Sequence, residues 1–185
     1  TRLEDDTTLT VYMSMFDSWP FANDSAAMWP ADWFSRFDYA VGTDPYTGRV
    51  YPAFFSGPWF YDAQPSDFPD WETFVRAFGI NQCYVNTPAG LMYRPSAVAY
   101  WAQIKGDWQG SCFGFNAGSA LAFFDSTAFY ATYPEVGPPA QTHDLALTDD
   151  RRQVLNELFV HQYGRHHAQH MTDGQHRTPR ETLAE

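Results

Sequence analysis

Trp108-Gln109-Gly110-Ser111-Cys112-Phe113-Gly114-Phe115-Asn116, continued by the small and apolar run from Ala117 to Phe124, is the stretch on which the reading of this chain turns. It predicts a tight, glycine-bearing loop that delivers a single cysteine to the first turn of a buried helix. Gly110 and Gly114 permit close backbone approach or a positive φ. Ser111 is a good N-cap for a helix beginning at Cys112. Gly118, Ser119 and Ala120 keep one face slim enough to lie against another backbone. A thiol at that position gains from the positive end of the helix dipole, which favours thiolate over thiol. Activated cysteine nucleophiles are built this way. The competing reading is a small core cysteine, since free Cys is among the most buried residue types.

Working outward, residues 66–79 predict a helix capped by Ser66 or Asp67, with Pro69 near its first turn. Phe68, Trp71, Phe74, Val75 and Phe78 recur there at helical spacing, and Gly79 stops it. Residues 80–85 read as a short strand and 86–90 as a loop. Pro95-Ser96 opens another helix that ends at Gly106. The cysteine helix closes near Asp125-Ser126, an aromatic stretch covers 127–133, and 134–139 is linker-like. Thr148 caps the last clear helix, with Asp149 and Asp150 where negative charge is favoured. Val154, Leu155, Leu158 and Phe159 form its apolar stripe.

The N-terminal third is strand and loop, thick with rings. Residues 7–16 alternate as a strand with one apolar face. Ala26-Ala27-Met28-Trp29 suits a helical turn that ends before Pro30. Residues 38–41 and 50–55 are expected to form a hairpin around the turn cluster at 43–48. The organisation is therefore an aromatic-rich strand and loop region over 1–65, a core over 66–163 that holds the cysteine helix, and a polar, histidine-rich tail over 164–185. This is one domain, or a portion of one.

Aromatic residues make up 18% of the chain, more than a small core needs, so some rings are expected to line a groove or an interface for glycan or protein. The formal charge of −11 and the single lysine, Lys105, argue against a nucleic-acid partner, which requires a basic stripe. No run approaches the roughly 18 apolar residues of a membrane span. Cys83 and Cys112 either pair or stay free, and a pair would silence Cys112.

The segment from Trp108 to Phe124 resembles the active-site helix of papain-like cysteine peptidases, in which G-x-C-[WFY]-[AG]-F opens a central helix. It is most similar to bacterial secreted or surface proteins with a W-G-G-S-C-[FY]-G-[MF] core. The likeness runs from near Phe68 to Gln162, through Phe68-Pro69-Asp70-Trp71, the helix from Pro95, and His143-Asp144-Leu145. It implies an α+β, papain-like fold, with a central Cys-bearing helix packed on antiparallel strands. It also implies an extracellular or cell-surface setting, a protein or peptide substrate, and room for further domains of a larger polypeptide. The papain pattern carries an oxyanion-hole glutamine about six residues before the cysteine, where this chain has Gly106; Gln109 is the nearer glutamine.

For the base, His143 is the candidate within this sequence, off a regular helix and beside Asp144, which can orient the imidazole. The resemblance aligns it with a structural position, so the base is otherwise expected beyond Glu185. His166 and His170, at i and i+4 with His161, His167 and His176 nearby, are the competing chemistry. Without H-E-x-x-H or an obvious third ligand they read as a solvated helix end rather than a metal site. The expected activity is a cysteine peptidase or transpeptidase-like hydrolase using Cys112, Gln109 and His143, with no cofactor and no metal. The alternative is a non-catalytic binding module on the same scaffold.

Overall fold

The computed structural model describes residues 2–4, 8–10, 17–30, 43–49, 64 and 66–165. Among these, three two-stranded antiparallel sheets accompany six helices, so the chain is α+β. Strands β1 (Arg2–Glu4) and β2 (Thr8–Thr10) pair with Leu3 opposite Leu9. The rest of the strand expected over 7–16, the flanks of the hairpin expected around 43–48, and the tail histidines from 166 onward lie outside the described residues.

Strand β3 (Asp67–Phe68) leads into helix α1 (Trp71–Phe78). The cap is Asp70, whose side chain accepts from the Thr73 N–H at 2.8 Å, rather than Ser66 or Asp67. Asp67 is engaged elsewhere: it pairs with Asp107 in the sheet formed with β6 (Gly106–Asp107), and its carboxylate takes a 3.1 Å ion pair from Lys105. Gly79 ends α1 at φ +84°, as its position suggests. The strand expected over 80–85 is instead a helical turn, α2 (Ile80–Cys83), because Gly79 restarts the chain and accepts from the Cys83 N–H. Strand β4 (Tyr84–Thr87) and β5 (Gly90–Tyr93) then absorb the expected 86–90 loop into a hairpin.

Helix α3 (Pro95–Ile104) uses Pro at its first position, where the missing N–H costs least. The cysteine helix is α4 (Cys112–Phe124), followed by α5 (Ser126–Thr132) and α6 (Asp149–Val160), the last capped by Thr148 as expected. Three buried clusters hold these elements. One joins α1, the hairpin and α3 through Trp71, Phe74, Tyr84, Tyr93 and Trp101. A second gathers Trp19, Met28, Phe129 and Val136 around Val154, Leu155 and Leu158 of α6. Trp29, Phe68 and Val160 form the third.

The buried centre is α6 rather than the cysteine helix. Every side chain from Val154 to Leu158 is buried, because α4 packs on one side of α6 and α1 on another. Helix α4 buries only Gly114, Gly118 and Ser119, and its principal neighbour is a helix, not a strand. The small-residue seam explains the packing. A Cβ on Gly114 would stand 1.9 Å from the Leu155 carbonyl oxygen, so only glycine admits this crossing.

Candidate functional site

The approach to α4 is built to fix the backbone of Ser111. Gly110 takes φ +112°, a conformation that disfavours any side chain, and the Ser111 N–H then donates to the Asn23 carbonyl at 3.0 Å. Ser111 is fully buried. Its hydroxyl accepts from the Trp108 indole N–H at 3.2 Å and donates to Asn156 Oδ1 at 2.6 Å. The Asn156 amide in turn donates to the Met28 carbonyl at 2.8 Å. Ser111 therefore occupies the N-cap position, but its side chain gives no capping hydrogen bond. The expected cap is replaced by a buried polar chain that ties loop 17–30, α4 and α6 together.

The consequence falls on the next residue. Cys112 stands at the first position of α4, with a free and exposed thiol. Around a helix Cys112 and Gly114 lie roughly 200° apart, so seating Gly114 against α6 turns Cys112 outward. No side chain from Ser111 covers the first-turn N–H groups beside it, and these carry the positive end of the dipole. Cys83 is the opposite case. It is free but wholly buried in the cluster of Trp71 and Trp101, and burial pushes its thiol up to about 12. The two cysteines are not paired.

Gln109 is exposed on the loop before Cys112, and His143 is exposed in the 3₁₀ turn Thr142–Asp144. Among the described residues no hydrogen bond joins either to Cys112. The neighbour of His143, Thr142, lines an open cleft against Ser119, Phe123 and Ser126. Ser119 lies seven positions beyond Cys112, which is about 10 Å of helix. The residue before His143 thus borders the C-terminal half of α4.

Comparison with known protein families, with curated proteins and with solved structures returns no match. Among the described residues no group of three His, Cys, Asp or Glu side chains is placed to hold a metal ion. None of their helices is long and apolar enough to cross a membrane.

Two further polar clusters leave no signal in the sequence. Asp44 is fully buried and accepts from the Tyr84 hydroxyl at 2.7 Å, from the Tyr93 hydroxyl, and from the Tyr46 and Thr47 N–H groups. Tyr84 also accepts from the Trp71 indole at 2.7 Å. Arg76 of α1 bridges Glu157 of α6 at 3.1 Å and Glu135 at 3.0 Å. Burial raises the Glu157 carboxyl above its ordinary range, and Arg76 offsets only part of that. Both clusters join elements far apart in sequence, so no local spacing announces them. Each joins charged groups to partners on other elements, which suits a structural role.

Proposed function

We propose that this chain is a thiol-dependent hydrolase of the cysteine peptidase or transpeptidase type, on a papain-like arrangement, with Cys112 as its nucleophile. One observation carries this reading: a free, exposed thiol stands at the first position of a 13-residue helix whose N-cap side chain is drawn away into the core. In the reaction, the Cys112 thiolate attacks an acyl carbonyl carbon and a C–S bond forms. The carbonyl oxygen takes the negative charge and accepts from first-turn N–H groups of α4. Collapse expels the leaving group, which takes up a proton, and water then hydrolyses the thioester and restores the thiol. Gln109, on the loop three residues earlier, is the side chain placed nearest in sequence to assist the oxyanion. His143, in the 3₁₀ turn Thr142–Asp144, is the candidate general base within this sequence.

The test is the alkylation rate of Cys112 by iodoacetamide as a function of pH, with Cys112→Ala as the blank. Cys83 is shielded in the native chain and serves as an internal control. Alkylation of Cys112 several times faster in the native chain than in the unfolded chain is expected. A native profile identical to that of the unfolded chain overturns the reading and leaves the non-catalytic binding module in its place.

A further inference from the structure

Asp70, Asp125 and Thr148 each cap an α-helix with a side-chain oxygen that accepts a first-turn N–H. Ser111, at the same place before α4, does not. Its backbone is not the obstacle, since Asp125 caps from ψ 57°, close to the 35° of Ser111. The direction of the buried bonds supplies the reason. The Trp108 indole can only donate and the Met28 carbonyl can only accept, so the protons between them run one way. Trp108 donates to Ser111 Oγ, Ser111 donates to Asn156 Oδ1, and the Asn156 amide nitrogen donates to Met28. The Asn156 amide is thereby oriented with its oxygen toward Ser111. At 2.6 Å that oxygen holds the Ser111 hydroxyl in the core, where both residues are fully buried.

We propose that Asn156 is a positioning residue for Cys112: by holding the Ser111 hydroxyl in the core, it keeps the N-terminus of α4 uncapped beside the thiol. This role rests on Cys112 being the nucleophile. A serine at an N-cap ordinarily sets its oxygen against the N–H of the second or third helical residue, at the dipole end that a thiolate uses. Without Asn156 Oδ1 the Ser111 hydroxyl has lost its acceptor in the core, and it turns to the cap position that its residue type prefers. The Cys112 thiolate, and an oxyanion formed on its substrate, then compete with that oxygen for the same donors. The control is remote in sequence, because Asn156 lies 45 residues beyond Ser111, within α6, and acts on Cys112 only through Ser111.

The experiment is the alkylation rate of Cys112 by iodoacetamide at neutral pH, read by peptide mass spectrometry on the full chain, with buried Cys83 followed in the same samples. Asn156→Ala is expected to slow Cys112 about two- to fivefold, the size of one interaction with a helix dipole, while Cys83 stays protected. Adding Ser111→Ala, which removes the oxygen that turns back, should return Cys112 to near the native rate. A purely structural Asn156 behaves differently: its loss loosens the core and exposes Cys83, and a second buried substitution does not repair it. Asn156→Leu, which keeps the volume of the site, carries the same reading should Asn156→Ala fold poorly. An unchanged Cys112 rate in both Asn156 variants, a fall that comes only with Cys83 labelling, or a double variant as slow as the single one overturns the proposal. A native chain whose Cys112 labels no faster than the unfolded chain overturns the thiol reading and this role with it, and that result is seen before any variant is made.

Discussion

The Ser111 hydroxyl donates to Asn156 Oδ1 at 2.6 Å, across 45 residues of sequence, and ties the turn before the cysteine helix to the middle of the helix beneath it. Both residues are completely buried, and Asn156 also holds the Met28 carbonyl of the N-terminal loop. Asn156→Ala strands the Ser111 hydroxyl proton and the Met28 oxygen, and it loosens the Ser111 hydroxyl that receives the Trp108 indole. A destabilisation of about 2–4 kcal/mol is expected, the cost of orphaned buried polar groups together with a small cavity. Urea unfolding measures it, and a change under about 0.5 kcal/mol, typical of a surface site, would show that the chain of bonds is dispensable.

The two glycines of the α4 seam differ in what they face. At Gly114 an added Cβ meets the Leu155 carbonyl oxygen at 1.9 Å, and backbone cannot step aside without separating the helices. At Gly118 the nearest atom is the end of the Leu155 side chain, at 3.0 Å, which can rotate. Gly114→Ala is therefore expected to cost about 3 kcal/mol or more, and Gly118→Ala about 1 kcal/mol, offset in part by the better helix propensity of alanine. Thermal midpoints rank them, and equal losses would contradict the crossing described here.

Much of this architecture is legible along the chain. Gly79, Pro95, Cys112 and Thr148 mark helix boundaries where the expected signals stand, because capping and φ preference act over a few residues. The failures share a cause. Asp70 outcompetes Ser66 and Asp67 as a cap because Asp67 is claimed by a strand 40 residues away at Asp107. Ser111 loses its expected cap bond to Asn156, 45 residues further along the chain. Local grammar cannot report a partner that only the fold supplies, and a catalytic pairing of distant residues is of that kind.

Glu157 provides a pH signature. Burial raises its carboxyl above the ordinary value near 4.5, so the folded chain holds this proton more tightly than the unfolded chain. Its contribution then favours folding at and below the ordinary glutamate range, and is lost as pH rises through the raised value. Glu157→Gln keeps an acceptor for Arg76 but cannot ionise. The stability difference between this variant and the native chain should therefore move in the variant's favour as pH climbs from the ordinary glutamate range to neutrality. Urea titrations at several pH values decide it; a flat difference, or one moving the other way, would mean that the Arg76 pair outweighs the burial.

Asp44 holds the hairpin and α1 in a common frame. One carboxylate oxygen caps its own turn through the Tyr46 and Thr47 N–H groups, and the other receives the Tyr84 and Tyr93 hydroxyls. Tyr84 passes the chain on to the Trp71 indole, in the middle of the first core cluster. Tyr84→Phe removes one donor to Asp44, leaves the Trp71 N–H without its acceptor, and is expected to cost about 1–3 kcal/mol. Tyr93→Phe removes one donor to a carboxylate that keeps three others, so its cost should be smaller. Asp44→Ala removes the shared acceptor of both hydroxyls and undoes the turn, so it should exceed either, at about 3–5 kcal/mol for several buried donors that lose their acceptor. If Tyr93→Phe proved the most damaging of the three, the network would be anchored at Tyr93 rather than relayed through Tyr84.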